Sequence, residues 1–112
     1  MPNLVDRKCR ACEDKNLKPF VRADMEDYLM DVPRWILSLD EKKISRTFEF
    51  KNFVQAIDFV SGVVADIAEG EGHHPDISIQ YNKVVLELWT HSIDGLSEND
   101  FIVAAKIDAI FP

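Results

Sequence analysis

The stretch DISIQYNKVVLEL, residues 76–88, alternates apolar and polar side chains on either side of a short polar break. An alternation with a period of two is typical of β-strands that bury one face. Asn82-Lys83 can form the two-residue turn of a β-hairpin, because asparagine accepts a positive φ. This turn would pair Ile79 with Leu86. The predicted inward-facing residues are Ile77, Ile79, Tyr81, Val84, Leu86 and Leu88.

The region before this hairpin has the pattern of two more strands and a long helix. Residues 34–39 and 44–50 alternate around a turn at 40–42, which predicts a first hairpin. Asn52 is a good helix N-cap, and the apolar residues after it follow the 3.6-residue period, which predicts a helix to about Ala68. The predicted apolar stripe is Phe53, Ala56, Ile57, Val60, Val63, Val64 and Ile67.

Two shorter helices flank these elements. Residues 23–31 have helical spacing and stop before Pro33. Ser97 can cap a helix to about Ile110, with Val103, Ala104, Ile107 and Ile110 in its buried stripe. The order helix, two strands, helix, two strands, helix predicts an α+β fold, a two-layer sandwich of a four-stranded antiparallel sheet with three helices on one face. The other sheet face is then open to solvent or to a partner subunit.

Length and charge limit what the chain can be. Its 112 residues, 46% of them hydrophobic, suffice for one compact domain whose small core favours oligomerisation. We assign residues 21–112 to this domain, and residues 1–20 to an N-terminal arm that is packed over it or partly disordered. The net charge of −7 argues against direct binding of nucleic acid and against an anionic membrane surface.

The chain has no apolar run near the roughly 18 residues that a membrane-spanning helix needs. Its N-terminus is polar and lacks the apolar core of a signal peptide, so we expect a cytoplasmic protein. An organellar form whose targeting segment had been removed would have the same sequence.

Cys9-Arg10-Ala11-Cys12 is a CxxC pair. Such a pair is half of a zinc site, or a redox pair if it lies at a helix N-terminus. The other half of a zinc site would have to come from His73 and His74 or from a second subunit. The simpler interpretation, which we favour, is two thiols in a loose arm.

The chain's three histidines are predicted to meet at the open end of the second hairpin. Extending the predicted register places His74 opposite His91, with His73 beside them at the end of the long helix. Imidazole gains and loses protons near neutral pH, so such a cluster suits acid–base catalysis. It also suits a metal ion, with Asp100 as a further ligand. Alternatively, each histidine only satisfies a local backbone group or faces solvent.

Three residues near this cluster have competing interpretations. Ser97-Glu98-Asn99-Asp100 is a capping-box pattern, so Asp100 either only caps the last helix or also points inward toward the sheet. Glu69 is most simply a solvated residue at the end of the long helix. Trp89 would lie on the open sheet face, where an exposed tryptophan indicates a subunit interface.

Seven spaced positions resemble the active-site motif of the pterin-4a-carbinolamine dehydratase family. They are Glu69, three residues, His73-His74-Pro75, five residues, Tyr81, nine residues, His91, eight residues and Asp100. Two flanking stretches are also similar to family sequence, namely Tyr81-Asn82-Lys83-Val84 and Gly95-Leu96-Ser97-Glu98. The resemblance covers roughly residues 20–110 and is strongest from 69 to 108.

The resemblance implies a reaction and a set of site residues. The reaction would be the dehydration of 4a-hydroxytetrahydropterin to quinonoid dihydropterin, in tetrahydrobiopterin recycling, by a homodimer or homotetramer without a metal or redox cofactor. The expected acid–base groups are His73, His74 and His91, and Asp100 would hold or orient one of them. The expected pterin-binding residues are Glu69, His73, His74, Pro75, Thr90, His91 and Ser92. We expect both His73 and His74 at the rim of a cleft.

Two other classes of function stay open. Some members of the family that the chain resembles also dimerise a homeodomain transcription factor, so the fold could be an assembly module with a protein partner on its open sheet face. The histidine cluster could alternatively be a metal site. The chain departs from some family members at Ile77, where they carry an aromatic residue, and at Trp89, where others carry small residues. The first difference would alter the pocket wall, and the second the assembly.

Overall fold

The computed structural model describes residues 4–10 and 17–112, and it has the predicted α+β architecture. Its elements, in chain order, are helix α1 (Arg22–Leu29), strands β1 (Ile36–Leu37) and β2 (Ile44–Glu49), helix α2 (Phe53–Asp58), a π-helical segment (Phe59–Val64), helix α3 (Ala65–Glu71), strands β3 (Asp76–Gln80) and β4 (Lys83–Leu88), and helix α4 (Glu98–Ile110). Short 3-10 turns lie at Leu4–Asp6 and His91–Ile93. Because α2, the π-helical segment and α3 are contiguous, they form one long helix.

The strands form one four-stranded antiparallel sheet in the order β1-β2-β4-β3. Alternate residues of β2 and β4 are buried, and α4 is buried along most of its length. The predicted burial of Ile110 was wrong, because this last residue of α4 is 59% exposed. The residues at the centre of the core, each at most 1% exposed, are Ile44, Phe48, Val84, Leu86, Leu88, Phe101, Ile102, Val103 and Ile107. The predicted two-layer sandwich is confirmed.

The second hairpin turns one residue earlier than predicted. Tyr81-Asn82 forms the turn, so that Ile79 lies opposite Val84. The backbone N–H of Phe50 donates to the Asn82 carbonyl at 2.8 Å, and Asn82 Nδ2 donates to the Phe50 carbonyl at 2.8 Å. These bonds to the end of β2 hold Asn82 at the second turn position, and Tyr81 takes a positive φ of 53°. A contact with another strand therefore determines the register.

The predicted faces of the strands are retained, but the burial of β3 is not. The observed pairing differs from the predicted one by two residues. Because this is an even number, each side chain stays on its predicted face of the sheet. Ile77 and Tyr81 are nevertheless 44% and 67% exposed, because β3 is an edge strand. Only Ile79 in this strand is half-buried. The predicted burial of Ile77 and Tyr81 was wrong.

The long helix starts as predicted but changes its winding in the middle. Asn52 Oδ1 accepts from the N–H of Gln55 at 2.9 Å, which confirms the N-cap. In the π-helical segment the N–H of Ala65 donates to the carbonyl five positions earlier. Side chains five apart then share a face. The residues that this helix buries are Ala56, Phe59, Val64 and Ala68, whereas Phe53 and Ile57 of the predicted stripe are exposed.

The described part of the N-terminal arm packs where α3 ends and α4 begins. The N–H of Cys9 donates to Glu71 at 2.8 Å, and the Asn99 side chain bonds both backbone groups of Arg10. Burial raises the pKa of the Cys9 thiol to about 12, and Glu71 adds to the shift, so the thiol is protonated at neutral pH. Cys12, the other half of the CxxC pair, lies outside the described residues.

A buried ion pair ties the end of α4 to the sheet. Arg46 of β2 is 7% exposed and donates to the carboxylate of Asp108 and, at 3.1 Å, to the carbonyl of Phe111. Trp35 Nε1 donates to the same Asp108 carboxylate at 3.0 Å. The guanidinium carbon lies 4.2 Å from the centre of the Phe48 ring. Removing one partner of such a pair leaves a desolvated charge.

We therefore expect Arg46→Met to lower the free energy of unfolding by about 3 kcal/mol, measured by urea denaturation. The matched control is Arg22→Met, because Arg22 pairs with Glu26 and Glu41 on the surface. The control should leave the urea midpoint almost unchanged. Equal effects of the two substitutions would mean that the burial of the Arg46 ion pair makes no additional contribution to the free energy of unfolding.

Candidate active site

A cavity of about 260 Å³ lies where the long helix ends and the second hairpin begins. Its wall consists of Gly72, His73, His74, Pro75, Asp76, Trp89 and His91. All three histidines of the chain therefore line one cavity, as the sequence predicted for their cluster. Pro75, predicted to bind substrate, is also in the wall.

His73 is turned inward by the end of α3. Gly72 takes the left-handed conformation, with φ of 67°, and the N–H of His73 bonds the carbonyl of Ala68. The ring is only 3% exposed, and its Nε2 lies 2.7 Å from Asp100 Oδ1. The expectation that His73 stands at an open rim was wrong, because the glycine turn directs it to a buried carboxylate.

Asp100 both caps α4 and holds His73. It is fully buried. Its Oδ2 accepts from the Ser97 N–H at 3.0 Å, which completes the capping box, and from Thr90 Oγ1 at 2.9 Å. Thr90 Oγ1 also lies 2.8 Å from the Ser97 hydroxyl. Thr90, predicted to line the pterin site, is fully buried and uses its hydroxyl in this network.

His74 is held more loosely, by an exposed carboxylate. Its Nε2 lies 2.7 Å from Glu69 Oε1, and the two side chains are 58% and 80% exposed. The expected position of His74 at the cavity rim agrees with this exposure. Glu69 is therefore more than a solvated helix end, since it contacts a histidine of the cavity.

His91 and Trp89 form the opposite part of the wall. The predicted pairing of His74 with His91 was wrong. The pairing of β3 with β4 ends at Asp76 and Glu87, and His91 lies beyond it, at the start of a 3-10 turn. The His91 ring instead lies against the Trp89 indole, with ring centres 3.9 Å apart. Ser92, predicted to bind substrate, is the exposed next residue of that turn.

Trp89 is half-buried in the cavity wall, whereas the sequence predicted an exposed tryptophan on the open sheet face. Its Nε1 donates to Asp76 Oδ2 at 3.0 Å, and Lys43 Nζ lies 4.9 Å from the indole centre. No sequence pattern indicated Lys43 at this position, and Asp76, which the predicted register placed opposite Trp89, was not assigned to the site. The β2–β4 register, in which Ile44 pairs with Leu88, would have placed Lys43 beside Trp89.

Within residues 4–10 and 17–112, no group of three or more His, Cys, Asp or Glu side chains is arranged to hold a metal ion. In the same part of the chain, no helix is long and apolar enough to cross a membrane.

The site geometry is suited to proton transfer. A carboxylate can only accept, so Nε2 carries the proton in the bonds of His73 to Asp100 and of His74 to Glu69. In the neutral ring Nδ1 is then the unprotonated nitrogen, able to act as a base. A carboxylate that fixes the tautomer of a histidine in this way is a recurring feature of acid–base sites.

Comparisons with known proteins agree on one family. The family model described as Pterin 4 alpha carbinolamine dehydratase matches residues 18–110. A Halorhodospira halophila protein that bears the family's name is 44% identical over 96% of this chain and 97% of its own length. Pterin-4-alpha-carbinolamine dehydratase 2, mitochondrial, of Arabidopsis thaliana is 42% identical over 98% of this chain and 60% of its own length.

A solved structure shares the fold. The crystal structure described as a transcriptional coactivator/pterin dehydratase from Brucella melitensis has a TM-score of 0.77 and 33% identity, over 83% of this chain and 98% of the other. With the family model and the relatives, this similarity shows that the chain belongs to the pterin-4a-carbinolamine dehydratase family.

Proposed function

We propose that the chain dehydrates pterin-4a-carbinolamine to quinonoid dihydropterin by histidine acid–base catalysis, in the recycling of tetrahydrobiopterin. The observation that carries this proposal is the convergence of His73, His74 and His91 on one cavity, with two of the rings oriented by carboxylates. The reaction needs proton transfer at two groups bonded to C4a, the hydroxyl and N5, which an acid and a base from separate rings can supply together.

The chemistry requires one bond to break and one double bond to form. An acid protonates the hydroxyl on C4a, the C4a–O bond breaks, and water leaves. A base removes the proton from N5, and its electron pair forms the C4a=N5 double bond. No electrons are gained or lost overall, so proton transfer by side chains is sufficient.

The different environments of the histidines suit different roles. His74 is exposed and can take up a second proton from water, so we assign the resulting imidazolium the donation of its Nδ1 proton to the leaving hydroxyl. His73 is buried and fixed by Asp100, so we assign its Nδ1 the removal of the N5 proton. His91 completes the wall and contacts the pterin. Glu69, Pro75, Thr90 and Ser92 orient these groups or the substrate.

The test of this function is the dehydration rate of freshly generated 4a-hydroxytetrahydropterin, followed by ultraviolet absorbance against the uncatalysed reaction. We expect the wild-type chain to accelerate dehydration and His74→Ala to lose about 100-fold of that acceleration while remaining folded. The control is Gln80→Ala, which changes an exposed residue at the far end of β3. A wild-type chain that gives no acceleration rules out the proposed activity.

A second substitution separates the two interpretations of Asp100. Asp100→Asn keeps a polar group of the same size but presents an amide where the carboxylate now accepts three hydrogen bonds. We expect kcat to fall about 100-fold or more, because His73 loses its fixed tautomer, and stability to fall by about 1–3 kcal/mol. A folded variant with unchanged kcat would reduce Asp100 to a helix cap.

Assembly is a second candidate function, and it is compatible with the first. The Brucella melitensis relative is described as a coactivator as well as a dehydratase. The open sheet face of the present chain carries mostly polar residues such as Ser45, Thr47 and Glu49, with Ile36 of the edge strand β1 exposed beside them. On α2, two exposed apolar side chains are consecutive, since Phe53 and Val54 are 50% and 64% exposed. We propose that α2, rather than the sheet face, binds further copies of the chain.

Val54→Glu tests this assembly surface. A charge on an apolar contact opposes association, so we expect the molar mass measured by light scattering to fall relative to the wild-type oligomer. Gln55→Glu adds the same charge at the neighbouring exposed position and should have a smaller effect. A wild-type chain that is monomeric at all concentrations would contradict the proposal.

A further inference from the structure

Trp89 makes three side-chain contacts that the proposed proton transfers do not use. Its indole lies against the His91 ring with centres 3.9 Å apart and planes inclined by 35°. Its Nε1 donates to Asp76 Oδ2 at 3.0 Å. The Lys43 ammonium lies 4.9 Å from the indole centre, within the range of a cation–π contact. The indole is therefore held from several directions.

His91 is held differently from the other two histidines. His73 and His74 each have Nε2 on a carboxylate. In the described part of the chain, the side-chain contact that holds the His91 ring is the stack on Trp89. A stack fixes the plane of an imidazole while leaving both ring nitrogens at its edge.

Backbone geometry explains why the indole can serve as this support. Trp89 directly follows β4, and Leu88 of that strand pairs with Ile44 of β2, so Lys43 and Trp89 lie side by side. Asp76 is the first residue of β3, on the other side of β4. The indole is thus anchored to both neighbouring strands at the edge of the cavity.

We infer that Trp89 is a positioning residue, which holds the His91 ring in the orientation that the dehydration requires, with Asp76 and Lys43 fixing the indole. This inference rests on the proposed dehydratase function. It assigns Trp89 an action through His91 and not on the pterin itself. An indole that stacked directly on the substrate would be the alternative, and the two differ in how Trp89 and His91 depend on each other.

A double-mutant cycle on kcat distinguishes them. We expect Trp89→Leu to lower kcat about 10- to 100-fold with little change in KM, since small displacements of a catalytic group have effects of this size. In the His91→Ala background the same substitution should lower kcat less than about threefold. Trp89→Phe keeps an aromatic surface but loses the Nε1 bond to Asp76, so its kcat should lie in between.

Proton NMR of the histidine rings gives a readout that does not depend on activity. The indole ring current should shift the His91 ring protons upfield, and Trp89→Leu should move them back while the His73 signals stay in place. Trp35→Phe is the matched control, because Trp35 is buried against Asp108, away from the cavity. It should change neither the His91 signals nor kcat.

The outcomes separate this inference from the proposed function. If the wild-type chain accelerates dehydration and Trp89→Leu lowers kcat equally with and without His91, the inference is wrong while the dehydratase function stands. Unshifted His91 ring protons in the wild-type chain would also overturn it. A wild-type chain without activity overturns both.

Discussion

One buried carboxylate connects the parts of the molecule that form the site. Asp100 belongs to the first turn of α4, and its hydrogen bonds reach the Ser97 backbone, Thr90 after β4, and His73 after α3. A buried charge without donors would cost several kcal/mol, so these three partners must stay in place together. The cap of one helix thereby fixes the ring of a residue that follows another helix. The same carboxylate atoms therefore contribute to the stability of the fold and to the geometry of the site.

The three cavity histidines are restrained by three kinds of partner. His73 has a buried carboxylate, His74 an exposed one, and His91 an indole. A buried ionic hydrogen bond restricts motion more than an exposed one, which water competes for. The site therefore combines three differently restrained rings. The His73 ring is rigid, the His74 ring is solvated and can exchange its proton, and the plane of the His91 ring is fixed by the stack on Trp89. A reaction that gives a proton to one group and takes a proton from another can use these differences.

The fold and the gathering of the three histidines around one cavity could be predicted because they depend on patterns that are local in sequence. The alternation of apolar and polar residues identified the strands. The hairpin register then placed the histidines at one end of the hairpin. The register failed because Asn82 is placed by Phe50, a residue 32 positions away, which no local pattern records. The inward turn of His73 could not be predicted for a similar reason, since it requires both the left-handed Gly72 and a carboxylate from another helix.

The π-helical segment sets the angular phase between the two ends of the long helix. A π turn holds about one residue more than an α turn, and one residue corresponds to about 100° of rotation about the axis. The segment Phe59–Val64 thus determines where α3, Gly72 and His73 point relative to α2. Losing a single residue there would restore regular α-helix and swing the loop that carries two of the cavity's imidazoles away from α4. Insertions and deletions in this family should therefore avoid the segment, even at Ser61 and Gly62, which are exposed.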